Sequence, residues 1–314
     1  MATSGSTTFT STLEDIIKDA LLVLNVSNPD ESVAPQDGAL ATRVLNRMIK
    51  AWQAQGIHLW KKSTATVFLQ KDQLEYEIYS TGDHATESYI ETTLGADKAT
   101  GQTTITVTSS TGMTAADYIG IEQDDNTIHW STIDTVSDST TVIIDDALTD
   151  DASFGLKVYA YTTRVSEPFN IYSMVRESES AIDTPMNYLS YEEYFQLPNK
   201  TSSGVPVSYN YDRQLGKSLL KVWPVPDNVN DLVKITYEQK IEDFVSNPNT
   251  PDFPQEWHDA LVLNLAAKLA HPFGRDNPGG SYVTLKQDAQ EALILAMSFD
   301  NEQGSLYFQP DFYN

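Results

Sequence analysis

The stretch Pro251 to Leu269, PDFPQEWHDALVLNLAAKL, constrains the fold of this chain more than any other. Asp252 can cap a helix, and Pro254 suits the first helical position, where its missing N–H costs nothing. Glu256 places a negative charge at the positive end of the helix dipole. Trp257, Leu261, Leu265 and Leu269 then recur every four residues, with Val262, Leu263, Ala266 and Ala267 on the flanks. A helix apolar around so much of its girth is packed on more than one side. The chain must therefore supply it with several partners.

Three other segments have helical periodicity. The first starts at Ser11, where Ser11 and Glu14 read as a capping box, and aligns Leu13, Ile16, Ile17, Ala20, Leu21 and Leu24. The second runs from about Pro35 to Gln55, with Leu40, Val44, Leu45, Met48, Ile49 and Trp52 apolar and Gly56 as its stop. The last spans Ser281 to Ser298, with a stripe of Leu285, Ala289, Ala292, Leu293, Ala296 and Met297. Helical hairpins at the two ends predict an α+β fold in which they pair into a four-helix bundle around a central β-region.

Between the hairpins the period changes to two. Thr64–Gln70 and Leu74–Tyr79 read as a β-hairpin, and strands are expected at 169–177, 207–211, 218–225 and 232–239. Tyr191–Gln196 reads as one helical turn within a loop. Residues 84–163 look like an inserted all-β domain, a sandwich or barrel, with short strand-like runs separated by Gly, Asp, Asn and Ser turns. The expected organisation is residues 1–83 (helical hairpin plus β-hairpin), 84–163 (insert), 164–298 (β-region and second helical hairpin, packed with 1–83), and an extended tail, 299–314.

The net charge of −24 argues against a protein that grips nucleic acid, because phosphate neutralisation needs a basic surface. The insert is especially acidic, with 13 Asp and Glu against two Lys. Such a surface serves solubility, or it keeps a protein near nucleic acid without adhesion. With no cysteine, disulfides, thiolate metal sites and cysteine nucleophiles are excluded. No apolar run is long enough to span a membrane, and the N-terminus lacks the basic and apolar regions of a signal peptide, so no membrane anchor is expected.

The sequence contains no G-x-S-x-G, P-loop, G-x-G-x-x-G or H-E-x-x-H motif. His58, His84, His129, His258 and His271 are scattered without ligand spacing, and His258 reads as a structural histidine beside the helical core. Asp124-Asp125-Asn126, Asp145-Asp146 and Asp150-Asp151 read as turns, with calcium as the sharper alternative. Trp52, Trp60 and Trp257 read as core anchors, and Trp223 as packing at a sheet edge. No catalytic residue, metal ligand or cofactor is therefore assigned. The tail carries Tyr307, Phe308, Phe312 and Tyr313 without a basic residue; such aromatics need somewhere to dock.

Three segments in order resemble the head-to-tail adaptor (connector) proteins of short-tailed bacteriophages. The first is Asp15-Ile16-Ile17 with Ala20-Leu21, Ala39-Leu40, Leu45-Asn46-Arg47-Met48 and Trp52-Gln53-Ala54-Gln55-Gly56. The second holds Pro185-Met186, Ser190-Tyr191-Glu192-Glu193-Tyr194, Leu197-Pro198-Asn199-Lys200, Gly204-Val205-Pro206, Tyr211-Asp212 and Val222-Trp223-Pro224-Val225-Pro226. The third runs from Pro254-Gln255-Glu256-Trp257 through Leu265-Ala266-Ala267-Lys268-Leu269-Ala270. The resemblance implies a homo-oligomeric, twelve-fold ring in the virion neck, assembled in the host cytoplasm between portal protein and tail hub or nozzle. DNA would pass through without specific binding, and Tyr307, Phe308, Phe312 and Tyr313 would dock on the portal. A tail fibre or spike is a further partner for the insert. The alternative is a virion-associated carbohydrate-binding or cell-wall glycoside hydrolase protein, with the insert as its sugar module.

Overall fold

The computed structural model describes residues 5, 9–29, 32–56, 59–246, 248–277 and 281–299. In chain order, α1 (Leu13–Val23) and α2 (Pro35–Ala54) precede β1 (Lys62–Phe68), β2 (Glu75–Ile78), β3 (Ala85–Thr86) and β4 (Ile90–Thr93). Next come β5 (Thr104–Thr106), β6 (Tyr118–Glu122), β7 (Ile128–Val136), β8 (Thr141–Ile144) and β9 (Lys157–Tyr161). They are followed by β10 (Asn170–Glu177), β11 (Asp183–Pro185), β12 (Asn187–Tyr188), α3 (Tyr191–Gln196), β13 (Ser208–Arg213), β14 (Ser218–Trp223) and β15 (Leu232–Glu238). The chain closes with α4 (His258–Leu269) and α5 (Ser281–Phe299). Two compact units result, Met1–Lys61 with Ile241–Asn314, and Lys62–Lys240.

The expected four-helix bundle is overturned. Among the described residues the molecule is β-rich, with three sheets and five short helices. In the first unit α4 is the hub on which α1, α2 and α5 pack. Its Leu261, Leu265 and Leu269 are fully buried, which accounts for the all-round apolar sequence. A closed bundle would bury a stripe of α5 between two neighbours. Instead α5 buries only Ala289 and Ala296, small side chains that let it lie close on α4, while Ile294, Leu295 and Phe299 face outward.

Local capping differs from the expected pattern by about one turn or less. Thr12, not Ser11, caps α1 and pairs reciprocally with Asp15; the Ser11 hydroxyl lies 2.5 Å from His258 Nδ1 instead. Asp252 caps nothing. Its carboxylate pairs with Lys61 and its carbonyl accepts the Trp60 indole N–H, so a 3-10 turn, Gln255–Trp257, precedes α4. The tertiary ion pair outcompetes the local cap.

The second unit is built from three sheets. One has the order β11-β10-β15-β1-β3, and another β12-β13-β14-β2. Val67, Val233, Ile235 and Tyr237 of the first share a core with Tyr76, Leu220 and Val222 of the second. β1 and β2 do not form the expected hairpin. β1 pairs with β15 and β3, β2 pairs with β14, and the link between them crosses from sheet to sheet. The third sheet, β4-β9-β6-β7-β8-β5, curls until its edge strands meet at a Leu94–Val107 bridge. It wraps Leu94, Ile105, Ile119, Ile121, Val142 and Val158. Its short strands alternate inward β-branched residues with outward polar ones, the pattern that closes a small barrel.

Candidate functional site

The barrel is seated on the sheets by an aromatic cluster. Phe68 of β1 is ringed by Tyr89, Trp130, Tyr159 and Tyr161, with centroids 4.9 to 6.0 Å away. The two crossings into the barrel meet here. His84 stacks on Trp130 at 3.7 Å, its Nδ1 lies 2.5 Å from the Tyr161 hydroxyl, and its Nε2 lies 3.2 Å from the Arg164 guanidinium. Arginine only donates, so Nε2 accepts and Nδ1 carries the proton. Burial, with Arg164 beside it, depresses the imidazole pKa to about 3. His84 is thus a neutral fastener.

Trp130 lies across Gly120, its cross-strand partner, where a Cβ would come within 2.6 Å of the indole. Gly120→Ala is expected to cost about 1–3 kcal/mol through overpacking. Equilibrium urea unfolding of the two proteins checks this, and equal stability would contradict the packing.

The acidic turns are used internally. Asp124 accepts from the Ser153 hydroxyl and backbone N–H, Asp125 from Thr127, and Asp151 from the Thr100 N–H at 2.8 Å. Asp150 accepts the Asp151 N–H, and Asp145 accepts the Thr132 hydroxyl. These bonds order the loops of the barrel. No group of three or more His, Asp or Glu among the described residues is placed to hold a metal ion. His129 contacts the Asp146 carbonyl at 3.1 Å, His271 pairs with Asp276 at 2.5 Å, and His258 packs against Phe9. His58 lies outside the described residues. Sequence reasoning missed Glu122, a buried acid in the barrel. It accepts the Lys157 N–H and the Tyr159 hydroxyl, both at 3.1 Å, and burial raises its pKa.

Two surfaces have the character of contact sites. Asn170, Tyr172, Tyr188, Tyr209 and Arg213 line an open groove where β10 and β12 run out. The Tyr188 and Tyr209 rings meet edge-on at 5.6 Å, and the Tyr172 hydroxyl donates to Glu238 at 2.9 Å. Nearby, Tyr191 and Phe195 stand exposed one turn apart on α3. This aromatic surface was not legible as one site, because its members come from four elements. The second surface is the outer side of α5, where Ile294, Leu295 and Phe299 are about 60 to 66% exposed. Tyr307, Phe308, Phe312 and Tyr313 lie outside the described residues.

The described residues thus offer interlocked β-layers, acidic barrel turns that bond within the barrel, and exposed apolar surfaces. No helix among the described residues is long and apolar enough to cross a membrane. No protein of curated function matches the chain. Among solved structures, VP17, a capsid protein of bacteriophage P23-77, aligns with 60% of this chain and 77% of its own at 12% identity. Its TM-score of 0.12 is too low to carry an argument about fold. The family model described as SU10 adaptor protein, by contrast, matches residues 11–307, nearly the whole sequence. The chain belongs to the SU10 adaptor protein family and is a phage structural protein.

Proposed function

We propose that this protein is the head-to-tail adaptor of a short-tailed phage, forming a twelve-fold ring between portal and tail hub or nozzle. The observation that carries this reading is the adaptor-family match from residue 11 to residue 307. The exposed apolar surfaces are consistent with it, since a lone soluble chain gains nothing from leaving them wet. The net charge of −24 gives the channel a non-adhesive wall, through which DNA slides. Tyr307, Phe308, Phe312 and Tyr313 anchor the ring to the portal, and the acidic barrel is presented to a fibre or spike.

Light scattering and negative-stain imaging of the full chain, alone and mixed with purified portal protein, test the reading. Ring-sized particles that bind portal are expected. A chain truncated after Ser298 should keep its circular dichroism spectrum and lose portal binding. Full-length chains that stay monomeric with portal refute the adaptor role, and retained binding by the truncated chain refutes the role of the tail.

A further inference from the structure

The first unit carries two apolar features that its own chain does not bring together. One is the last two turns of α5, Ala292 to Phe299, which contain no charged residue. Ile294, Leu295, Met297 and Phe299 are 39 to 66% exposed there, because the face bearing Ala289 and Ala296 is already committed to α4. The other is a groove between α1 and α2 of about 510 Å³, with Ile17, Val33, Pro35, Gly38 and Ala39 in its walls. Its small residues leave room for a helix to approach closely, as at other close helix contacts.

Charge sets the orientation. Along the outer face of α2, beside the groove, stand Arg43 and Arg47, whose Nε atoms bond only to carbonyls of their own helix. Neither has an ion-pair partner among the described residues, although the protein is strongly acidic. On α5, Glu291 directly precedes the apolar strip and Asp288 stands about one turn before it; both are exposed and likewise unpaired among the described residues. The α1 wall of the groove carries Glu14 and its α2 side the two arginines, so only the α2 side complements the acidic rim beside the apolar end of α5. Because the two patches differ, their contact is heterologous, the kind that propagates from copy to copy and closes into rings.

We propose that the C-terminal half of α5 in one copy docks in the α1–α2 groove of a second copy, with Asp288 and Glu291 facing Arg43 and Arg47. This assignment rests on the ring reading and names the surface through which the ring forms.

The absence of cysteine allows a direct test in the full chain. Ala39 and Leu295 are both exposed, so the double variant Ala39→Cys, Leu295→Cys should fold as the parent does. On mild oxidation it should give a ladder of disulfide-linked dimers, trimers and higher species that reductant collapses, whereas each single variant stops at dimer. Leu295→Glu, which places a charge in the strip without touching the core, should reduce assembled mass at least tenfold at a fixed concentration. Ring-sized particles without a ladder would overturn this interface and leave the ring reading standing. Alkylation-protected Leu295→Cys in an unassembled chain would assign the strip to the chain's own residues 300–314 and also overturn it. Parent protein that is monomeric at every concentration and with portal would remove the ring reading itself.

Discussion

Trp257→Ala is expected to destabilise the helical unit by about 3–5 kcal/mol, the largest single-residue loss in that unit. Trp257 is 1% exposed. Its ring lies 5.8 Å from Trp52, 5.2 Å from Trp60 and 5.7 Å from Phe253, in tilted contacts that each add to the area buried. It stands at the start of α4, the helix on which the other three terminal helices converge, so the cavity would open at the junction of the unit. Its neighbours belong to helix α2, the turn before β1 and the loop before α4, and cannot all collapse inward at once. Urea unfolding at one protein concentration measures the loss. A cost below about 1 kcal/mol would mean that the site collapses freely and that Trp257 is not an anchor.

The second expectation concerns acid. The folded-state pKa of His84, about 3, is far below the ordinary value of 6.5. Between those values the unfolded chain takes up a proton that the folded chain refuses, so stability falls as the pH drops through that window. The contribution is fully present above pH 6.5 and amounts to about 5 kcal/mol between the two limits. Protonation would also turn Nε2 into a donor facing the Arg164 guanidinium, with no acceptor between them. His84→Gln should therefore be less stable than the parent at pH 7, with a gap that narrows steadily toward pH 4. Taking the difference between the two proteins cancels the carboxylates and the other histidines, which both share. A gap that stays constant from pH 7 to pH 4 would show that His84 titrates normally and is not sealed under the barrel.

The sequence was most legible where the signal is local. The apolar stripes of α1, α2 and α4 identified the buried faces, since a period of 3.6 leaves few other arrangements for Leu13, Ile16, Leu45 or Leu261. The strand-like runs of residues 84–163 correspond to β5 through β9. The expected four-helix bundle was wrong, because a stripe of alanines on α5 states that something lies close without saying how many neighbours there are. The hairpin of β1 and β2 failed for a related reason. Alternation marks a half-buried strand but names no partner, and Leu232–Glu238, far along the chain, proved the better match for β1. The tyrosine groove and the seat of the barrel were invisible for the same cause: their members are separated by up to about a hundred residues.

What the sequence determined by itself was the inventory: buried helix faces, short strands, an acidic insert, no thiol chemistry, and three ordered motifs that point to a phage adaptor. Each of these is a property of neighbouring residues or of their order. The tertiary structure alone decided which strands pair, that α4 has α5 on its outside, and that His84, Trp130, Tyr161 and Arg164 lock the base of the barrel. Those outcomes are set by a competition between long-range contacts whose individual differences are small. Periodicity in one segment records only that it has a buried side, and the identity of the covering surface emerges when all the segments are packed together.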